Sequence, residues 1–69
     1  MDNLIALIER AAKDETTRGE LYKNPQNLAE SWRLSTDEVA SLAIVLSDDY
    51  CKTPGGLRHM ARILRGLYC

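Results

Sequence analysis

Phenylalanine is absent from this 69-residue chain, tryptophan and histidine occur once each, and cysteine and proline only twice each. Two cysteines are too few for a disulfide scaffold, and one histidine leaves little for acid–base chemistry. Cys51, His59 and Cys69 do not follow the paired-cysteine spacing of a zinc site. No nucleophile–base constellation and no cofactor motif stands out, so the expectation is a chain that is not an enzyme, with no catalytic residue, metal or cofactor. No apolar run approaches the roughly 18 residues of a membrane span. The opening MDNLIALIERAAK carries Asp2 and Glu9 where a secretory signal carries positive charge alone, so a cytoplasmic location is expected. A single core of this size supplies only about 3–5 kcal/mol, so support from a partner is anticipated.

What is present is helical periodicity. Leu4, Leu7, Ile8 and Ala11, flanked by Ile5 and Ala12, form one stripe at helical spacing, with Asp2 or Asn3 as its cap. Asp14 predicts the start of a short helix to about Tyr22, weakened by Gly19 inside it. Asn24-Pro25 is a helix start, the proline sitting where its missing N–H is not needed. It leads to Leu28, Ala29 and Trp32 on one face. Ser35-Thr36-Asp37-Glu38 is a capping box, and Val39, Leu42, Ala43 and Leu46 are the stripe expected behind it. Ser47-Asp48-Asp49 caps one further turn through Tyr50 and Cys51, which Thr53-Pro54-Gly55-Gly56 is expected to stop. A last helix is expected after the glycines, with Leu57, Met60, Ala61, Leu64 and Tyr68 on one side and Arg58, Arg62 and Arg65 on the other. No segment alternates as a strand. The fold class is all-α, a compact bundle of five or six short helices.

Charge divides the chain unevenly. Residues 1–51 hold all ten acids against Arg10, Lys13, Arg18, Lys23 and Arg33, while residues 52–69 hold Lys52, Arg58, Arg62 and Arg65 and no acid. This suggests an acidic recognition body at 1–52, a junction at 53–56 and a basic amphipathic segment at 57–69 within one domain. The segment NLAESWRLSTDEVASLAIV has apolar positions near those of a helix-turn-helix. Against that reading, Arg33 stands where the tight turn favours glycine, and Asp37 and Glu38 would open the recognition helix toward phosphate. A net charge of -1 gives no electrostatic footprint for nucleic acid, and no stable membrane insertion is expected either.

Gly55-Gly56, with Tyr50, Val45 and Leu42 at upstream apolar places and Thr53 departing from a fourth, resembles the double-glycine site at which bacterial peptide exporters cut leader from cargo. Residues 57–69 would then be the cargo, exported once released. More widely, LYKNPQNLAESWRLSTDEVASL at 21–42, DDY at 48–50 and PGG at 54–56 resemble the small α-subunit family of extradiol ring-cleaving dioxygenases. The same module is similar to the helical leader domain of ribosomally made, enzyme-modified peptide precursors of the borosin type. The first resemblance implies a subunit packed beside a catalytic partner that supplies the iron ligands. The second implies a domain that binds a modifying enzyme and presents a C-terminal core segment to it.

The reading that follows is a non-catalytic helical recognition module for a larger enzyme, first as the leader of a modified peptide. The alternatives are an accessory dioxygenase subunit, or a freestanding structural or regulatory domain that forms a homodimer through an exposed apolar face. Tyr22, Trp32 and Tyr50 are candidate anchors, because aromatic side chains give large contact area for little lost rotamer freedom. Arg58, Arg62 and Arg65 are candidates for an acidic groove, Gly55 and Gly56 for the cleavage junction, and Cys51 and Cys69 for modification. Core packing is the competing role for Trp32, and a solvated surface for the arginines.

Overall fold

The computed structural model describes residues 1–68. Five α-helices follow one another: α1 Asp2–Lys13, α2 Glu15–Lys23, α3 Pro25–Ser31, α4 Thr36–Leu46 and α5 Pro54–Tyr68, with a 3₁₀ turn at Asp49–Lys52 before the last. The described residues contain no strand.

Local chemistry sets most of these boundaries. The Asp14 carboxylate accepts the Thr16 N–H at 3.3 Å and starts α2, and Asn24 accepts the Asn27 N–H at 3.4 Å ahead of Pro25. Ser35 and Glu38 form the capping box in both directions, at 3.2 and 2.9 Å. Asp48 accepts the Tyr50 N–H at 3.0 Å and starts the 3₁₀ turn. Each bond satisfies an N–H that a helix start would otherwise leave without a partner.

The stretch 53–56 departs from expectation. Thr53 ends the 3₁₀ turn, but its hydroxyl accepts the Gly56 N–H at 3.0 Å and its carbonyl accepts the Leu57 N–H at 3.0 Å. Thr53 therefore caps α5, Pro54 occupies the first helical position, and both glycines lie in the first turn of that helix. The motif has the same logic as Asn24-Pro25, and the glycine pair obscured it.

Helix α1 is the centre of the molecule. Leu4, Ile5, Leu7, Ile8, Ala11 and Ala12 are all buried, and α1 packs chiefly on α5 and then on α2 and α4. Around it Leu21, Leu28, Leu42, Val45, Cys51, Leu57, Ala61 and Leu64 complete the core. The radius of gyration is 10.5 Å, against about 11 Å for a compact chain of this length, so α5 belongs to the body and is no projecting tail.

The apolar stripes of α4 and α5 differ from the expected ones. In α4 the buried residues are Glu38, Leu42 and Val45, whereas Val39 is 44% exposed. The buried face is rotated by about one residue because the Glu38 carboxylate is drawn inward to cap α1. In α5 Tyr68 is exposed, and Ile63 and Leu67 also face outward. The start of α1 is corrected too: Asp2 lies within the helix, and the cap position is Met1 with no side-chain bond of its own.

Candidate interaction surface

Helix α1 buries one side and turns Ala6, Arg10 and Lys13 to solvent. Their spacing of four and then three residues keeps them on one face. Arg58, Arg62 and Arg65 repeat this spacing on α5 and are likewise exposed. Since α5 packs on α1, the two rows border a common seam. Glu9 and Arg65 form an ion pair across it.

Two shallow hollows lie along this seam, and one more lies beside it, between α1 and Trp32 with no α5 residue in its lining. The hollow beside the seam, of about 340 Å³, is lined by Ala6, Glu9, Arg10, Lys13 and Trp32. On the seam, one of about 210 Å³ lies between Glu9, Arg58, Ala61, Arg62 and Arg65. The other, about 130 Å³, adjoins Asp2, Ile5, Ala6, Glu9 and Arg65. Glu9 borders all three. Arg10 is 3.5 Å from Asp14 with its side chain 62% exposed, and exposed pairs of this kind contribute about 0–1 kcal/mol. Five cationic side chains thus surround Glu9, with Asp2 at one end and Asp14 paired to Arg10.

The residues picked from sequence separate into distinct roles. Arg58, Arg62 and Arg65 share the seam, and Trp32, half-buried and packed against the core, lines the hollow beside it with Ala6, Arg10 and Lys13. Trp32 therefore packs on the core and keeps part of its surface open to solvent. Tyr22 is half-buried, and its hydroxyl donates to the Cys51 carbonyl. Its polar end is used inside the fold, and Tyr22 lines none of the seam hollows. Tyr50 is 57% exposed, with its ring edge-on to His59 at a centroid distance of 6.0 Å, and lines none of the seam hollows. Cys51 is fully buried, and burial, followed by the Asp48 carboxylate, pushes its thiol up from the ordinary value. Such a thiol is poorly nucleophilic, and in this fold Cys51 is a core residue. Cys69 lies outside the described residues. Gly55 is exposed and Gly56 is buried in the first turn of α5.

Sequence reasoning missed Arg10 and Lys13. On their own helix they are two ordinary surface cations, and only the packing of α5 on α1 joins them to the arginine row.

Two other concavities lie elsewhere. An apolar groove of about 160 Å³ runs between α3 and α4, from Pro25 and Ala29 to Val39 and Leu46. A wider cleft of about 480 Å³ is lined by Met1, Ser35, Asp37, Glu38, Ala40, Ser41 and Tyr68, and the Glu38 carboxylate there is already engaged by backbone N–H groups. Among the described residues no three potential metal ligands converge, and no helix is long and apolar enough to cross a membrane. Comparison with protein-family models, curated proteins and solved structures finds no match.

Proposed function

We propose that the chain is a non-catalytic recognition module that docks on a larger enzyme through the α1–α5 seam. The observation that carries this reading is the pair of adjoining cationic faces, Arg58, Arg62 and Arg65 on one side of Glu9 and Arg10 and Lys13 with Trp32 on the other, on a chain whose net charge is -1. Charge set apart in this way directs encounter and fixes orientation more than it adds raw affinity, which suits a module whose task is placement.

Between the two docking roles, the packing of α5 favours an accessory module over a precursor that surrenders its tail. Leu57, Ala61 and Leu64 are core residues, so releasing residues 57–69 would strip α1 of its main neighbour. Cutting after Gly56 would require the first turn of α5 to unwind. The test is recovery of the tagged chain from its own cells, with intact-mass analysis of the chain itself. The expected result is a stoichiometric complex with a larger catalytic subunit, disrupted by Arg58→Glu with Arg62→Glu, and a chain of full, unmodified mass. A truncated or modified tail would return the precursor role to first place, and capture indifferent to the charge reversals would remove the seam from consideration.

A further inference from the structure

Resting on that reading, we infer that the seam takes a short acidic peptide segment of the partner, anchored by one apolar side chain between Ala6 and Trp32. Arg58, Arg62 and Arg65 span about two helical turns of α5, roughly 10 Å at 1.5 Å per residue, and Arg10 and Lys13 span about one turn of α1. Those lengths match a few turns of acidic helix and fall far short of a nucleic-acid track. Domains that follow phosphate backbones are basic overall, with a pI above roughly 9, whereas the pI here is about 5.7. The acids on the remaining surface would repel a long polyanion.

The hollow beside Trp32 supplies the second half of the argument. Ala6 is exposed at its floor and the indole of Trp32 is half-buried at its wall, so the cations there flank apolar surface. At about 340 Å³ the hollow is wide and shallow, with room for one side chain laid against the indole. Arg10 and Lys13 stand on the hollow's edge, and Arg58 and Arg62 stand across the seam, so carboxylates on both sides of such an anchor would find a cation.

Trp32 is the sole tryptophan, so the site carries its own fluorophore. The probe is a synthetic helical peptide with glutamates flanking a single leucine, titrated into the full chain while tryptophan emission is followed. The expected result is a saturable emission change whose affinity falls with added salt, and drops about ten-fold or more in the Arg58→Glu/Arg62→Glu chain. Replacing the leucine by serine should weaken binding. No emission change at any peptide concentration overturns the inference, as does a leucine-free peptide that binds equally well, or duplex DNA that binds as tightly as the peptide. Both arginines are exposed, so the double variant should keep its helical circular dichroism. Should the peptide fail while enzyme capture still depends on those arginines, this inference falls and the docking function stands.

Discussion

The Glu38 carboxylate accepts the backbone N–H of Leu4 at 2.7 Å while its other oxygen accepts the N–H of Ser35 at 2.9 Å, so one buried side chain closes the starts of two helices. Burial pushes this carboxyl up, but the backbone N–H groups of Ser35 and Leu4, the Ser35 hydroxyl and the Met1 ammonium outweigh it and hold the group below the ordinary 4.5. A folded value below the unfolded one means stability that is fully present above the unfolded value and lost as pH falls through the folded one. Glu38→Ala should cost about 2–3 kcal/mol, since it leaves the buried Leu4 N–H and the half-buried Ser35 N–H without their acceptor. The wild-type urea midpoint should fall between about pH 5 and pH 3, with a smaller fall in Glu38→Gln. Asp14, lowered first by the Thr17 hydroxyl, loses its contribution in the same direction, so the variant should retain part of the acid sensitivity.

The glycines of α5 should respond to alanine in opposite ways. A Cβ on Gly56 would run into the Tyr50 carbonyl, which is backbone and cannot swing aside, whereas a Cβ on Gly55 meets nothing within 4 Å. Gly56→Ala should destabilise by about 1–3 kcal/mol or more. Gly55→Ala, and Gly19→Ala in α2 where the space is also open, should be neutral to stabilising by up to about 1 kcal/mol. Thermal unfolding of the three variants checks this, and a stable Gly56→Ala chain would contradict the close approach.

Arg33 has φ 54°, a left-handed conformation that costs a side-chain-bearing residue about 1–2 kcal/mol. Its carbonyl accepts from the Asn3 side chain at 3.2 Å, and the turn it makes joins α3 to α4. Arg33→Gly should stabilise the chain by about 1 kcal/mol or less, and Arg33→Val should destabilise it by more than that, as read by denaturant midpoint. A destabilised glycine variant would show that the arginine side chain itself supports the turn.

The Cys51 thiol is enclosed with its neighbours in the core. In a Cys69→Ser chain, an aromatic disulfide reagent at neutral pH should label Cys51 only as fast as the chain opens, and at once in denaturant. Tyr22→Phe, which removes the hydroxyl bonded to the Cys51 carbonyl, should cost about 1 kcal/mol and speed that labelling. Fast labelling of the native chain would contradict the burial.

Helix starts were legible because capping is local: Asp14, Asn24-Pro25, Ser35 with Glu38, and Asp48 each act within three residues. The α1 stripe was legible for a related reason, since six buried residues on one helix leave a strong periodic signal. Less legible was the rotation of α4, because Val39 is apolar and Glu38 charged, and the inward turn of Glu38 depends on Leu4, 34 residues earlier. The start of α5 was misread since a glycine pair after proline signals a stop more often than a first turn. Of the candidate site, the arginine row was visible on α5 alone. Its partners Arg10 and Lys13 come from a distant helix, and no local pattern links the two.

Helix α1 finds its largest contact surface in α5, so during synthesis the earliest helix must wait for the latest of the five to leave the ribosome. Until then its six core residues lack their main neighbour, and the growing chain offers a sticky amphipathic helix to chaperones and to any partner already at hand. The α1–α5 seam forms only when α5 closes, since neither cationic row lies beside the other before then.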